Sequence, residues 1–333
     1  MKLSLGVRTR CAVGRGLICL VALLAISGVV LGQQAGNETA GRETVARLPI
    51  FPEFQNPLSL NDPATGTGVS CPDPAIMNET IVGMNHWYLY CTGDPLNAND
   101  KDAKGNLRNH YIATWHSIDL IHWTYNGDVF PADPAWVGVE TNLWAPAVKH
   151  FNGKYYLYYT APETGGPGGP SEIGVATAAH AGGPWTDLGR PVVATESAPC
   201  CANTNRAVID PDVVEDGAGQ RYISFGSFFG GVSLQKLSAD GFTADKASER
   251  QIAVDNLYEG GSFYKRDGWF YLFVSSTNCC NGPGSGYSVD VGRARTPTGP
   301  FLDRNGVALT ATTGGGSKVI AANGIDGLGQ AAM

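Results

Sequence analysis

From Val69 onward the chain is built of short apolar runs separated by turn residues, and no stretch carries a helical 3.6-residue stripe of useful length. One phrase returns four times. "DPAIMNETIVGMNHWYLYCTGD" begins at Asp73, "APAVKHFNGKYYLYYTAP" at Ala145, "DPDVVEDGAGQRYISFGSF" at Asp210 and "EGGSFYKRDGWFYLFVSS" at Glu259. Each reads as an apolar strand, a turn that holds Gly, and a strand crowded with aromatics. Asn152-Gly153 and Asp267-Gly268 are tight hairpin turns, in which both residues accept positive φ. A third strand follows each hairpin ("YIATWHS", "EIGVATAA", "GVSLQKLS", "YSVDVGRA"), then a more polar outer segment. Four strands per unit, repeated, predict the blades of an all-β propeller. The second strands, Lys154 to Thr160 and Trp269 to Ser275, are apolar on both faces, as a sheet sandwiched between neighbours requires. A β-sandwich is the structural alternative, and the regular four-strand phrase weighs against it.

The segment before this pattern changes where the protein is expected to act. Residues 1–32 hold Lys2, Arg8, Arg10 and Arg15, an apolar run from Leu17 to Leu31 and small residues placed for cleavage after Gly32, which together read as a signal peptide. An uncleaved anchor is the runner-up. Residues 33–68 are polar and without periodicity, a linker or leader, so the propeller is expected over 69–333. Removal of the leader would leave 30 acidic against 19 basic residues, a formal charge of −11. Nucleic acid and anionic lipid are poor partners for such a surface, whereas a neutral polysaccharide meets no repulsion. In an exported protein Cys71, Cys91, Cys200, Cys201, Cys279 and Cys280 read as disulfides first. Cys71 and Cys91 flank the first hairpin at one end and are expected to pair, and the other four to pair among themselves, vicinally or across blades. Asn37 and Asn78 stand in N-x-T sequons.

Aligned by their opening residues, the repeats place Asp73, Asp210 and Glu259 at the start of the innermost strands of units one, three and four, with Ala145 at that place in unit two and Trp144 beside it. Such starts converge on a propeller's axis, so three carboxylates from distant sequence are expected around one funnel. Crowded like charges are costly unless chemistry or a cation uses them. Two carboxyl groups flanking a sugar suit glycosidic hydrolysis, one protonating the leaving oxygen and the other activating water; a gap of roughly 6.5–9.5 Å inverts the anomeric centre. "GGPGGP" at 165–170 reads as a flexible loop, and "TTGGGSKV" lacks the spacing of a phosphate-binding loop.

"CPDPAI", "LWAPAVKHFNGKYYLYYTA", "VIDPDVVEDGAGQRYISFGSFFGGVSLQKL" and "YEGGSFYKRDGWFYLFVSSTNCCNGPGSGYSVDVGRARTPTGPFLDRNG" together resemble the family-43 glycoside hydrolases, five-bladed β-propellers; the last two stretches look most like that family's secreted endo-1,5-α-L-arabinanases. The resemblance implies Asp73 as general base, Glu259 as general acid, and Asp210 as the residue that orients that acid and raises its pKa, with Asp212 ranked below it. Trp144 looks like a sugar-stacking platform, with blade packing as the alternative. Phe228 and Phe229 are weaker candidates, since the arabinanases usually carry tryptophan at the second of these positions. The arabinanases open a fifth unit with a Gly-His pair whose histidine helps hold a central metal, calcium being the candidate. Gln330 stands at that place here, which counts against a metal cofactor. The chain ends a few residues into that unit, so the expectation is a five-bladed propeller truncated after four blades. Together these readings describe a secreted, inverting hydrolase that cuts plant cell-wall arabinan internally. An exo-acting α-L-arabinofuranosidase or β-xylosidase, and a non-catalytic carbohydrate-binding propeller, are the alternatives.

Overall fold

A computed structural model describes residues 60–197, 205–277, 279 and 286–321, all within one compact unit, Pro52–Met333. The leader, Cys200, Cys201, Cys280 and Gln330 lie outside the described residues. Among those described, four antiparallel four-stranded sheets follow one another along the chain, each with its strands in sequence order. The first comprises β1 (Ala75–Ile81), β2 (Met84–Cys91), β3 (Ala113–Ser117) and β4 (Thr124–Asp128); the second β5 (Trp144–Phe151), β6 (Lys154–Ala161), β7 (Glu172–Ala178) and β8 (Thr186–Asp187). A two-stranded ribbon, β9 (Glu196–Ser197) with β10 (Asn205–Arg206), precedes the third sheet. That sheet holds β11 (Asp212–Glu215), β12 (Arg221–Ser227), β13 (Gly231–Leu237) and β14 (Ala244–Ala253), and the fourth β15 (Tyr258–Arg266), β16 (Trp269–Ser276), β17 (Ser288–Ala294) and β18 (Ser317–Ile320). The architecture is all-β with four propeller blades.

Local chemistry sets the hairpins. The β5–β6 and β15–β16 turns are Asn152-Gly153 and Asp267-Gly268, with positive φ at both residues of each, as their sequences predict. The β1–β2 turn has the same form at Val82-Gly83, and a β-branched valine at φ 48° there is a strained choice. Blade three turns through the longer loop 216–220.

Burial follows blade order. Tyr90, Ile112 and Phe130 of blade one pack with Val148, Leu157 and Tyr159 of blade two. Tyr156, Tyr158 and Val175 of blade two meet Val213, Ile223 and Phe225 of blade three, and Val232 and Leu234 of blade three meet Phe270, Leu272 and Val274 of blade four. Every residue of β6 after Lys154 is buried, so its two apolar faces serve two different seams. At roughly 1.5–3 kcal/mol per large apolar side chain, these seams are the main source of cohesion between blades.

The remaining face of blade one is covered from the N-terminal side. Leu60 packs with Leu89, Leu96 and Trp115, and Val69 and Cys71 lie against the same cluster. Cys71 and Cys91 form the expected disulfide, Cα–Cα 5.0 Å, which fastens this cover to β2. Cys279 is also disulfide-bonded. Residues 60–68, polar in pattern, therefore do more than link: Leu60 supplies one buried apolar anchor and the buried Asp62 carboxylate accepts hydrogen bonds from Ala64 N–H, Thr65 and Asn97.

Candidate active site

Each inner strand touches the inner strand of the next blade, β1 with β5, β5 with β11 and β11 with β15. Their N-terminal ends line a central cavity of about 210 Å³ that includes Asp73, Ala145, Asp210, Asp212, Lys149, Gly260, Ser275 and Tyr287. A larger cavity of about 790 Å³, lined by Arg108, His110, Tyr125 and Glu140 among others, lies in the outer loops and contains none of the three axial carboxylates.

The inner strands share one irregularity. In blade two the register slips by one residue between Trp144 and Ala147 on β5, and in blade four between Glu259 and Ser262 on β15. Blades one and three show the same slip, because Thr92 N–H bonds to Pro72 O while Ala75 pairs with Tyr90, and Gly226 N–H bonds to Ile209 O while Asp212 pairs with Ser224. A one-residue bulge thus opens every inner strand, and its extra residue has positive φ: Asp73 at 47°, Ala145 at 38°, Asp210 at 57° and Gly260 at 57°. Non-glycine residues rarely hold that conformation, and three of the four do so here.

This corrects the alignment of the repeats. Asp73, Ala145 and Asp210 are equivalent, but their partner in blade four is Gly260. Glu259 stands one place earlier, level with Pro72, Trp144 and Ile209. The signal was present in the proline after each bulge, Pro74, Pro146 and Pro211, whose counterpart is Gly261 rather than Gly260. The consequence is chemical: Glu259 projects from the paired residue before the bulge, whereas Asp73 and Asp210 project from the bulge itself.

Three separate supports hold the carboxylates. Asp73 Oδ2 accepts a hydrogen bond from Thr92 Oγ1 at 2.7 Å. Burial pushes the Asp73 carboxyl up to about 6, against the Thr92 bond and with the charges of Asp94 and Glu259 adding to it. Asp210 is fixed through its N–H, which donates to Thr160 Oγ1 at 3.1 Å, and its carboxylate accepts from Gly260 N–H. Burial first, then the charges of Asp73 and Glu259, raise it well above the usual carboxylate range. Glu259 accepts from Tyr287 Oη at 2.9 Å and from Phe228 N–H at 3.1 Å, one donor from its own blade and one from blade three. Asp212 behaves differently. It is buried, ion-paired with Lys149 Nζ at 2.6 Å and bonded by Phe263 N–H at 2.7 Å, so it ties blades two, three and four together below the carboxylates.

Of the candidate sugar-contacting residues, Trp144 is half-buried beside the cavity-lining Ala145. Phe228 reaches the site through its backbone, and its ring meets Phe229 edge-to-face at 5.3 Å; Phe229 is 64% exposed. Among the described residues no group of three or more His, Cys, Asp or Glu side chains is arranged to hold a metal, and Gln330 lies outside them.

Residues 69–333 match Glycosyl hydrolases family 43. The chain belongs to that family. It is 31% identical over 216 residues, 62% of this chain and 64% of the relative, to extracellular endo-α-(1→5)-L-arabinanase 1 of Bacillus subtilis, and so spans somewhat under two thirds of that protein's length. It is 30% identical over 259 residues, 71% of this chain and 68% of the relative, to the extracellular exo-α-(1→5)-L-arabinofuranosidase ArbA of Cellvibrio japonicus. Among solved structures it resembles the Cellvibrio cellulosa α-L-arabinanase complexed with arabinohexaose, with a TM-score of 0.61 and 28% identity over 77% of this chain and 79% of that one.

For this family-43 chain, sequence reasoning found the three axial acids and missed the groups that hold them: Thr92, Asp94, Lys149 and Tyr287. Part of that support was legible. A hydroxyl residue stands at or near the end of each second strand, in "YCTGD", "YYTAP", "FGSF" and "FVSS", and two of these, Thr92 and Thr160, hold bulge residues at the axis, whereas in blade three Gly226 occupies the matching place.

Proposed function

We propose that this protein hydrolyses α-1,5-linked arabinan, cleaving within the chain and inverting the anomeric centre, as an exported enzyme. The observation that supports it best is the convergence of three carboxylates: Asp73 and Asp210 line the axial cavity, Glu259 stands close enough for its charge to act on both, and each is held by its own hydroxyl or backbone donor. Asp73, with its carboxyl at about 6, is ionised at neutral pH yet still basic enough to take a proton from water. Glu259, gripped at both oxygens, is the arm that protonates the leaving glycosidic oxygen. Asp210 bonds the backbone N–H of Gly260, the residue next to Glu259, and so steadies the segment from which that acid projects. Half-buried Trp144 and exposed Phe229 offer aromatic faces for the C–H patches of sugar rings.

The names of the relatives support arabinan as substrate and divide over the mode of attack. Incubation with linear arabinan, with products sized over time and the first-formed anomer read by NMR, separates the readings. A ladder of oligosaccharides with inverted configuration is expected. A single short product released from chain ends would reassign it to the exo-acting class, and binding without turnover would make it a carbohydrate-binding module.

A further inference from the structure

The hydroxyls that close the second strands do unequal work. Thr160 Oγ1 accepts Asp210 N–H, so blade two holds the bulge of blade three. Thr92 Oγ1 makes the same contact one blade earlier, accepting Ala145 N–H at 2.8 Å, and in addition donates its own proton to Asp73 Oδ2 at 2.7 Å. Thr160 is offered no such carboxylate by its own blade, because Ala145 stands there. Thr92 is buried, so neither bond is shared with bulk water. A hydroxyl has one proton and a limited number of lone pairs. Because Ala145 N–H occupies an acceptor position, the single Thr92 proton is aimed at Asp73, and the seam between blades one and two fixes where that carboxylate stands.

Resting on the reading of Asp73 as general base, we propose that Thr92 is a positioning residue for that base: it locks one carboxylate oxygen against the seam and leaves the other, Oδ1, to face the cavity and take the proton from water. The groups facing Asp73 set what happens when the lock is removed. Asp94 from the loop after β2, Glu259 from blade four and Asp210 from blade three are all acidic, and Lys149, the cation lining the same cavity, is held by Asp212. The Thr92 hydroxyl is the bond that works against burial and like charge in favour of ionised Asp73.

The test compares wild type, Thr92→Val, which keeps the shape and removes the donor, and Thr92→Ser, which restores it. The Asp73 carboxyl is followed by 13C NMR across pH 4–9 with no substrate present, and kcat and KM on linear arabinan are measured over the same range. In Thr92→Val the titration of Asp73 and the acid limb of kcat/KM, which reports the free enzyme, both move up by about one pH unit, as expected for loss of a hydrogen bond to a charged group. At the optimum kcat falls about 10- to 100-fold with KM little changed, the mark of a displaced catalytic group rather than lost binding. Thr92→Ser returns both readouts toward wild type. A merely structural threonine would lower melting temperature in Thr92→Val and leave the Asp73 titration where it was, which overturns the inference. A titration that moves while the acid limb stays put overturns it too, since Asp73 would then not be the group whose ionisation limits turnover. Absence of turnover in the wild type removes the hydrolase reading and with it the catalytic role of Thr92, a failure that the substrate-free titration keeps distinct from the others.

Discussion

Among the described residues, the cluster around His110 and the carboxylates at the axis are built on opposite terms. In the outer loops, His110 is clasped by two carboxylates, with Nε2 at 2.7 Å from Asp100 Oδ2 and Nδ1 at 2.9 Å from Asp128 Oδ1. Tyr125 Oη and Tyr111 N–H also bond Asp128. Burial works against charge on His110, but Asp128 and Asp100 outweigh it and hold the imidazole above its ordinary value. At the axis no such partner among the described residues reaches Asp73 or Asp210, and burial and like charge drive both carboxyls up instead. The first cluster pairs opposite charges to pin the loop between β2 and β3. The second concentrates like charges on strained bulges, an arrangement that costs stability and is kept where reacting groups are needed.

The largest expected effect follows from the axial side of that contrast. Asp73→Ala and Glu259→Ala should each lower kcat on arabinan about 10³- to 10⁴-fold while sugar binding stays measurable by calorimetry. Near-normal turnover in either variant would mean that the axial carboxylates are no more functional than the outer ones. Next in size, His110→Ala leaves half-buried Asp128 without its cation and Asp100 with only the longer Arg108 contact at 3.5 Å, and should cost about 3 kcal/mol in urea unfolding at pH 6. A loss below about 1 kcal/mol would show that the outer cluster is not a clamp.

The pH dependence of stability sharpens the comparison further. Asp73 binds its proton more tightly folded than unfolded, so its ionisation is a cost that is absent below about pH 4 and complete above its folded value of about 6. Asp73→Asn should therefore raise unfolding free energy by about 2 kcal/mol at pH 8 and by almost nothing at pH 4. His110, also raised, contributes stability that is fully present below the unfolded histidine value and is lost as pH rises through the folded one. Both clusters thus favour mild acid, but only the axial one should yield a more stable protein when its titrating group is neutralised. Equal melting temperatures for wild type and Asp73→Asn at pH 8 would contradict that account.

How much of this was legible depends on the range of the interaction. The hairpin turns at Asn152-Gly153 and Asp267-Gly268, the two-faced burial of β6, the Cys71–Cys91 bridge and the approach of Asp73, Asp210 and Glu259 to one axis all follow from patterns of a few residues repeated along the chain. The offset of Glu259 did not, although Pro74, Pro146 and Pro211 marked it. Side-chain alternation tells which face a residue takes, but a bulge changes the count between two strands and is visible only in how they pair. The Asp100–His110–Asp128 clamp gave no sequence signal, since Asp100 and His110 lie on the long loop between β2 and β3, whose path no periodicity describes, and only that path brings them to Asp128 at the end of β4.

By itself, then, the sequence determined the blades, their tight turns and the chemical kind of residue at the axis, because strand period and turn conformation are properties of neighbouring residues. Only the tertiary structure decided which carboxylate stands on a bulge and which before it, which hydroxyl aims at Asp73, and why one acidic cluster is neutralised and the other is not. Those outcomes depend on the distance and burial of groups tens of residues apart, and proton affinity in a folded chain is set by that surrounding rather than by the residue's name.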